Sequence, residues 1–108
     1  MTAAVTDAMF RALSDPTRRA IFERLSNGGE ATVHALTAGS GVSQPAISKH
    51  LGQLKAAGLV HGRREGRETH YGARPEGVTP LYDWMRRYTV FWNDRLDDLE
   101  DLLKRMDQ

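Results

Sequence analysis

Residues 42–58, VSQPAISKHLGQLKAAG, leave room for little other than one amphipathic helix with its cap and its stop. Ser43 is placed as N-cap, its hydroxyl accepting from a free amide of the first turn, and Pro45 stands near the start, where a missing N–H costs nothing. Ile47, Leu51 and Leu54 recur at four and three residues and so share one face, while Gln44, Ser48, Lys49, Gly52 and Gln53 fall away from it. Gly58 ends the helix as a left-handed residue just past a helix terminus does. The unpacked face opens with an amide, a hydroxyl and an ammonium group, a set able to hydrogen-bond base edges and phosphates in a major groove.

The segments before it read as short helices. Val5, Met9 and Leu13 follow helical spacing until Ser14-Asp15-Pro16 interrupts them with a capping residue and a proline at a first helical position. A second helix over residues 16–26 carries Ile21, Phe22 and Leu25 on its core face and ends at Asn27-Gly28-Gly29. Thr32 caps a third, VHALTA, with Val33 and Leu36 inward, and Gly39-Ser40-Gly41 turns sharply into the helix of residues 42–58. A short helix, a glycine-bearing turn and a helix with a polar N-terminal face make a helix-turn-helix pattern. Beyond it, residues 59–65 and 68–73 flank Gly66-Arg67 as the arms of a β-hairpin with a basic tip. Arg63, Arg64 and Arg67 are then placed to reach flanking phosphates or an adjacent minor groove.

After the connector Arg74-Pro75-Glu76-Gly77 the pattern is helical to near the end. Leu81, Met85, Tyr88, Trp92, Leu96, Leu99, Leu103 and Met106 form an apolar stripe that Trp84, Phe91 and Leu102 widen. A helix of about 25 residues spans ~38 Å, more than so small a core can cover, so part of the stripe is expected to meet another copy of the chain.

Charge separates along the chain. Between Ser43 and Arg74 six basic residues stand against two acidic ones, whereas from Trp92 onward six acidic residues stand against three basic ones. A polyanion is drawn to the middle and the tail is left facing outward. The absence of cysteine removes disulfides, thiolate metal sites and thiol redox sensing, and fits a reducing compartment. With no run of roughly 18 apolar residues and no secretory pattern in MTAAVTDAMF, a cytoplasmic protein without membrane insertion is expected.

The chain resembles the ArsR/SmtB-type winged-helix repressors over almost its whole length. The matching residues are FRALSDPTRR at 10–19, SQPAISKHL at 43–51, and 54–60 leading into Arg64-Glu65-Gly66-Arg67. It looks most like the subgroup without metal-sensing cysteines. The resemblance implies a dimeric repressor joined through the first and last helices, with Gln44, Ser48 and Lys49 facing the major groove and the arginines beside Gly66 making wing contacts. Metal sensors of this type place cysteines near the recognition region, or histidines and carboxylates along the last helix. Here there is no cysteine and no histidine after His70. Asp97 with Asp101, and His61 with His70, are pairs lacking a third ligand, and His34 and His50 read as surface and packed or phosphate-facing histidines, so no metal and no cofactor are expected.

No phosphate-cradling glycine loop, nucleophile turn or paired-carboxylate pattern is present, which argues against an enzyme. The expected fold is mainly α, a single winged helix-turn-helix domain over residues 1–108 in the order ααααββα. Residues 1–14 and 78–106 form the dimerisation helices, 32–58 the helix-turn-helix and 59–73 the wing. The expected DNA-facing set is Ser43, Gln44, Pro45, Ser48, Lys49 and Gln53 with Arg63, Arg64 and Arg67. The expected dimer interface is Val5, Met9, Leu81, Met85, Tyr88, Trp92, Leu96, Leu99 and Leu103. Double-stranded DNA and a second copy are the expected partners, with no inducer indicated. The alternative is a winged-helix module that binds protein; its mark would be an apolar or acidic residue at position 44, 48 or 49, where this chain is polar or basic.

Overall fold

The computed structural model describes residues 3–107, so the first two residues expected in the N-terminal helix lie outside the described residues. Helices α1 (Ala3–Ser14) and α2 (Pro16–Gly28) meet at a corner made by Asp15, whose carboxylate accepts from the Arg18 amide at 3.0 Å. Pro16 follows as the first helical residue, so cap and proline close one helix and open the next within three residues. Strand β1 (Ala31–Thr32) leads directly into α3 (Val33–Thr37), and Thr32 serves both, pairing in the sheet and capping α3 through the Ala35 amide at 3.1 Å.

Helix α4 (Gln44–Ala56) is built as the residue pattern demands. The Ser43 hydroxyl accepts from the Ala46 amide, and Ile47, Leu51 and Leu54 are buried. At the other end Gly58 takes φ 77°, its amide donates to the Lys55 carbonyl, and the Leu59 amide reaches back to Leu54 at 3.0 Å. These two bonds are a Schellman motif, and the accompanying apolar contact is supplied by Leu54 and Leu59, both fully buried. Strands β2 (Val60–Glu65) and β3 (Glu68–Ala73) form the hairpin, with Glu65 opposite Glu68 and a two-residue loop. Gly66 comes first in that loop with φ 62°, as the II′ type requires.

The core joins α1, α2, α3, α4 and the base of the hairpin: Met9, Ala12, Ile21, Leu25, Leu36, Ile47, Leu51, Leu54, Leu59 and Val60. Each large side chain removed from water there contributes about 1.5–3 kcal/mol. A 3-10 turn (Pro75–Val78) then folds back over the end of α4, and Gly77 sits so close to the Gly58 carbonyl that no Cβ fits between them.

The expected order is present with two differences. Strand β1 adds a third member to the sheet, in the order β1-β3-β2, because the two residues before α3 lie alongside Tyr71 and His70. The C-terminal helix is divided into α5 (Thr79–Arg86) and α6 (Thr89–Met106). At the break the Arg87 and Tyr88 amides donate to carbonyls three residues back, and the Thr89 hydroxyl donates to Arg86 at 2.7 Å. Side-chain capture of a carbonyl in the preceding turn, followed by β-branched Val90, favours such an interruption.

One expected interface residue is corrected here. Met9 is only 1% exposed and lies inside the chain's own core, so it has no surface to offer a partner. Leu81 is divided, half-buried where it packs on that core. Helix α6, by contrast, buries no residue within the chain. The Cα radius of gyration of 18.1 Å far exceeds the ~13 Å of a compact chain of this length, because α6 projects away from the body. Among the described residues no helix is long and apolar enough to cross a membrane.

Candidate nucleic-acid interface

Two exposed surfaces carry polar and basic side chains, the outer face of α4 and the tip of the hairpin. Ser43, Gln44, Pro45, Ser48 and Lys49 are all exposed at the N-terminal half of α4, opposite the buried Ile47–Leu51–Leu54 face. Helix amides point outward at that end, so the partial positive charge of the terminus adds to Lys49. The side chains of Lys49 and Arg67 have no hydrogen-bond or ion-pair partner among the described residues. Their charge is therefore available to a polyanion.

The three wing arginines, grouped by sequence, are separated by the pleat. In β2 alternate residues face opposite sides, so Arg64 shares a face with Val60, which enters the core, while Arg63 shares the other face with His61. Arg64 is exposed, and its Nε donates to the Gly66 carbonyl at 3.3 Å, which steadies the turn. Arg63 is held differently. Its Nη2 donates to Glu30 Oε1 and its Nη1 to Glu65 Oε2, both at 2.9 Å. These bonds push its pKa further above an already high value, and the same Arg63 contact holds the Glu30 carboxyl below the ordinary glutamate range. A guanidinium matched by two carboxylates is a brace for the hairpin and a weak phosphate ligand, so Arg63 is moved out of the expected contact set.

Glu30 reaches Arg63 because β1 docks on the far edge of β3 and carries the preceding residue over it. Gly72 leaves the way open: a Cβ there would stand 2.8 Å from His61 Nε2 and 3.3 Å from Glu30 Cγ. Sequence reading missed Glu30 altogether. A two-residue strand gives no periodicity to detect, and only the sheet order brings Glu30 beside β2.

Gln53 is also displaced from the expected set. It is exposed on α4, but its Oε1 accepts from Arg18 Nη1 at 2.6 Å, on the side of the helix that faces the corner between α1 and α2. His50, half-buried on the same helix, has Nδ1 shielded from water without a partner, which places it in packing. His70 Nε2 lies 3.6 Å from Glu65, while His61 covers Gly72. No group of three or more histidine or acidic side chains among the described residues is arranged to hold a metal ion.

A further exposed surface is apolar. Phe10 of α1 meets Trp84 of α5 edge-to-face at 5.8 Å, Trp84 stacks obliquely on Tyr88 at 5.1 Å, and the row continues through Phe91 and Trp92 to Leu96, Leu99, Leu103 and Met106. Leu99 is 51% exposed and Leu96 61%. Met85 adjoins Trp92 in the same exposed area, and Val5 is exposed on α1. A contiguous apolar surface of this extent on a small chain marks an interaction site.

A family described as a helix-turn-helix domain matches residues 13–63. The HTH-type transcriptional regulator Rv2034 of Mycobacterium tuberculosis is 40% identical over 97 residues, covering 90% of this chain and 87% of its own. The transcriptional repressor SdpR of Bacillus subtilis is 34% identical over 80 residues, covering 74% and 88%. Among solved structures, the ArsR family transcriptional regulator RHA00566 superposes with a TM-score of 0.76 at 30% identity, covering 86% of this chain and 95% of its own. The homodimeric winged helix-turn-helix DNA-binding domain of Mb0332 from Mycobacterium bovis does so with a TM-score of 0.64 at 29% identity, covering 80% and 79%.

Proposed function

The chain belongs to the ArsR family of winged helix-turn-helix transcriptional regulators, proteins that bind DNA and are not enzymes, and on that footing we propose that it is a cytoplasmic homodimeric repressor of a palindromic operator, working without a metal ion. The observation that carries this reading is the coexistence of two kinds of exposed surface: the polar N-terminal face of α4 with the basic hairpin tip, and the apolar face of α6, which no described residue buries. The first suits a polyanion with readable base edges and the second suits its own copy. SdpR is a repressor and the Mb0332 domain is homodimeric, which supports both halves of the proposal.

In the proposed complex, two α4 helices related by a two-fold axis enter successive major grooves ~34 Å apart. Gln44 reads a base edge, Ser48 donates to a base or phosphate, and Ser43 and Pro45 set the helix start against the backbone. Lys49, Arg64 and Arg67 neutralise phosphates. Occupancy of the site then excludes polymerase.

Selection of fragments from a random DNA pool by the purified protein tests the proposal. Enrichment of an imperfect palindrome, bound equally with and without chelator, is expected. Enrichment of no sequence would favour the protein-binding alternative, and enrichment of a single unrepeated half-site would remove the two-fold arrangement.

A further inference from the structure

Arg18 joins three parts of the molecule through one side chain. Its Nε donates to the Ala12 carbonyl at 2.8 Å and its Nη2 to the Arg11 carbonyl at 3.2 Å, both in the last turn of α1. The Ala12 carbonyl has no amide to accept from four residues on, because Pro16 stands there, and the Arg11 carbonyl also takes the Ser14 hydroxyl at 2.7 Å, so the guanidinium helps to close the end of α1. Its remaining nitrogen, Nη1, donates to Gln53 Oε1 in α4 at 2.6 Å and stands 3.9 Å from Asp15. The side chain is 14% exposed, and Asp15 in turn caps the helix that carries Arg18. The planar fork is therefore held from both ends and aimed at α4.

We propose that Arg18 and Gln53 are positioning residues that set the angle of the recognition helix relative to α1, and thereby the spacing of the two half-sites that the dimer accepts. The inference rests on the dimeric DNA-binding reading given above. Its physical basis is the difference between the two kinds of contact that hold α4. Ile47, Leu51 and Leu54 bury an apolar face, and such contacts are strong but non-directional, so they tolerate small slides and tilts. A short charge-assisted hydrogen bond fixes distance and direction. Gln53 lies nine residues along the helix from Gln44, a lever of about 13 Å, so a small tilt at the Arg18 end is carried to the groove-facing end. The other end of the link is α1, whose exposed Phe10 meets Trp84 in the apolar surface proposed for the dimer. The bond thus refers the DNA-reading helix to the element that fixes where the second copy stands.

The test uses the full-length protein, the palindrome it selects, the same palindrome with the spacer shortened or lengthened by one base pair, and a single half-site. Gln53→Ala is expected to leave single half-site affinity and the thermal midpoint near wild type and to reduce discrimination between correct and altered spacers by about tenfold, within the usual range of coupling effects. Gln53→Glu retains an acceptor for Arg18 and is expected to restore the spacer preference. Arg18→Lys, which keeps the charge but not the three-way fork, should reproduce the Gln53→Ala loss. Unchanged spacer discrimination in Gln53→Ala would overturn the inference, as would a Gln53→Glu protein that binds the single half-site more weakly than Gln53→Ala, the mark of a residue facing phosphate. A wild-type protein indifferent to spacer length would instead overturn the two-fold binding reading, and the inference would fall with it.

Discussion

Arg63 and Glu30 lie 33 residues apart in the chain and are joined by a 2.9 Å ion pair across the back of the hairpin. The contact divides the three basic residues of the wing into one that supports and two that face outward. Arg67→Ala should weaken specific and nonspecific DNA alike and lower the slope of log K against log salt by about 0.9, the value for one lost phosphate contact. Arg63→Ala should lower affinity while leaving the slope nearly unchanged, since its charge is already matched by Glu30 and Glu65. Equal slope changes in the two variants would return Arg63 to the phosphate contacts.

The same pair sets a pH dependence. Glu30 has its pKa lowered from 4.5 in the folded chain, chiefly by the hydrogen bond from Arg63. A depressed folded value means that the contribution to stability is fully present above the unfolded value and is lost as pH falls through the folded one. The thermal midpoint of wild type should therefore exceed that of Glu30→Gln by a constant margin from neutral pH down to the ordinary glutamate range, and the margin should close only below it. A margin that closes well above that range would show that a group other than Glu30 sets the dependence.

Gln44 is exposed at the first turn of α4, where an amide can pair with an adenine edge. Gln44→Ala should relax the preference at one base position per half-site by ~1–3 kcal/mol, read by competition against operator variants. An unaltered base preference would leave Gln44 as a surface residue of the helix start.

Leu99 is half-exposed in the middle of an α6 face that no described residue buries. Leu99→Glu places a carboxylate there beside Asp98, Glu100 and Asp101, where desolvation and like charge both oppose association. The variant should sediment as a monomer and lose operator affinity with every groove-facing residue intact, because the second half-site no longer adds its effective concentration. A dimeric Leu99→Glu protein with normal binding would place the interface elsewhere.

Gly77 packs its Cα over the Gly58 carbonyl at the end of α4. Gly77→Ala forces backbone to move, not a flexible side chain, and should lower stability by about 1–3 kcal/mol in denaturant titration. An unchanged midpoint would show that the 3-10 turn lifts away at little cost.

The cap at Ser43, the stop at Gly58, the hairpin turn at Gly66 and the corner at Asp15-Pro16 were all legible in the sequence, and so was the buried face of α4. Each depends on residues within about one turn of each other, so composition and spacing determine them before the chain folds. The exposed basic and polar residues of α4 and the excess apolar surface of the C-terminal region were legible for the same reason. What the tertiary structure alone decided involves partners far apart. It turned Met9 into the core, gave Gln53 to Arg18 across 35 residues, and matched Arg63 with Glu30. It also broke the long helix at Arg87 and Tyr88, where the apolar stripe continues without interruption. Periodicity says which side of a helix is apolar or polar, but a side chain's partner is set by which elements the packed core brings together, and that is a property of the whole chain.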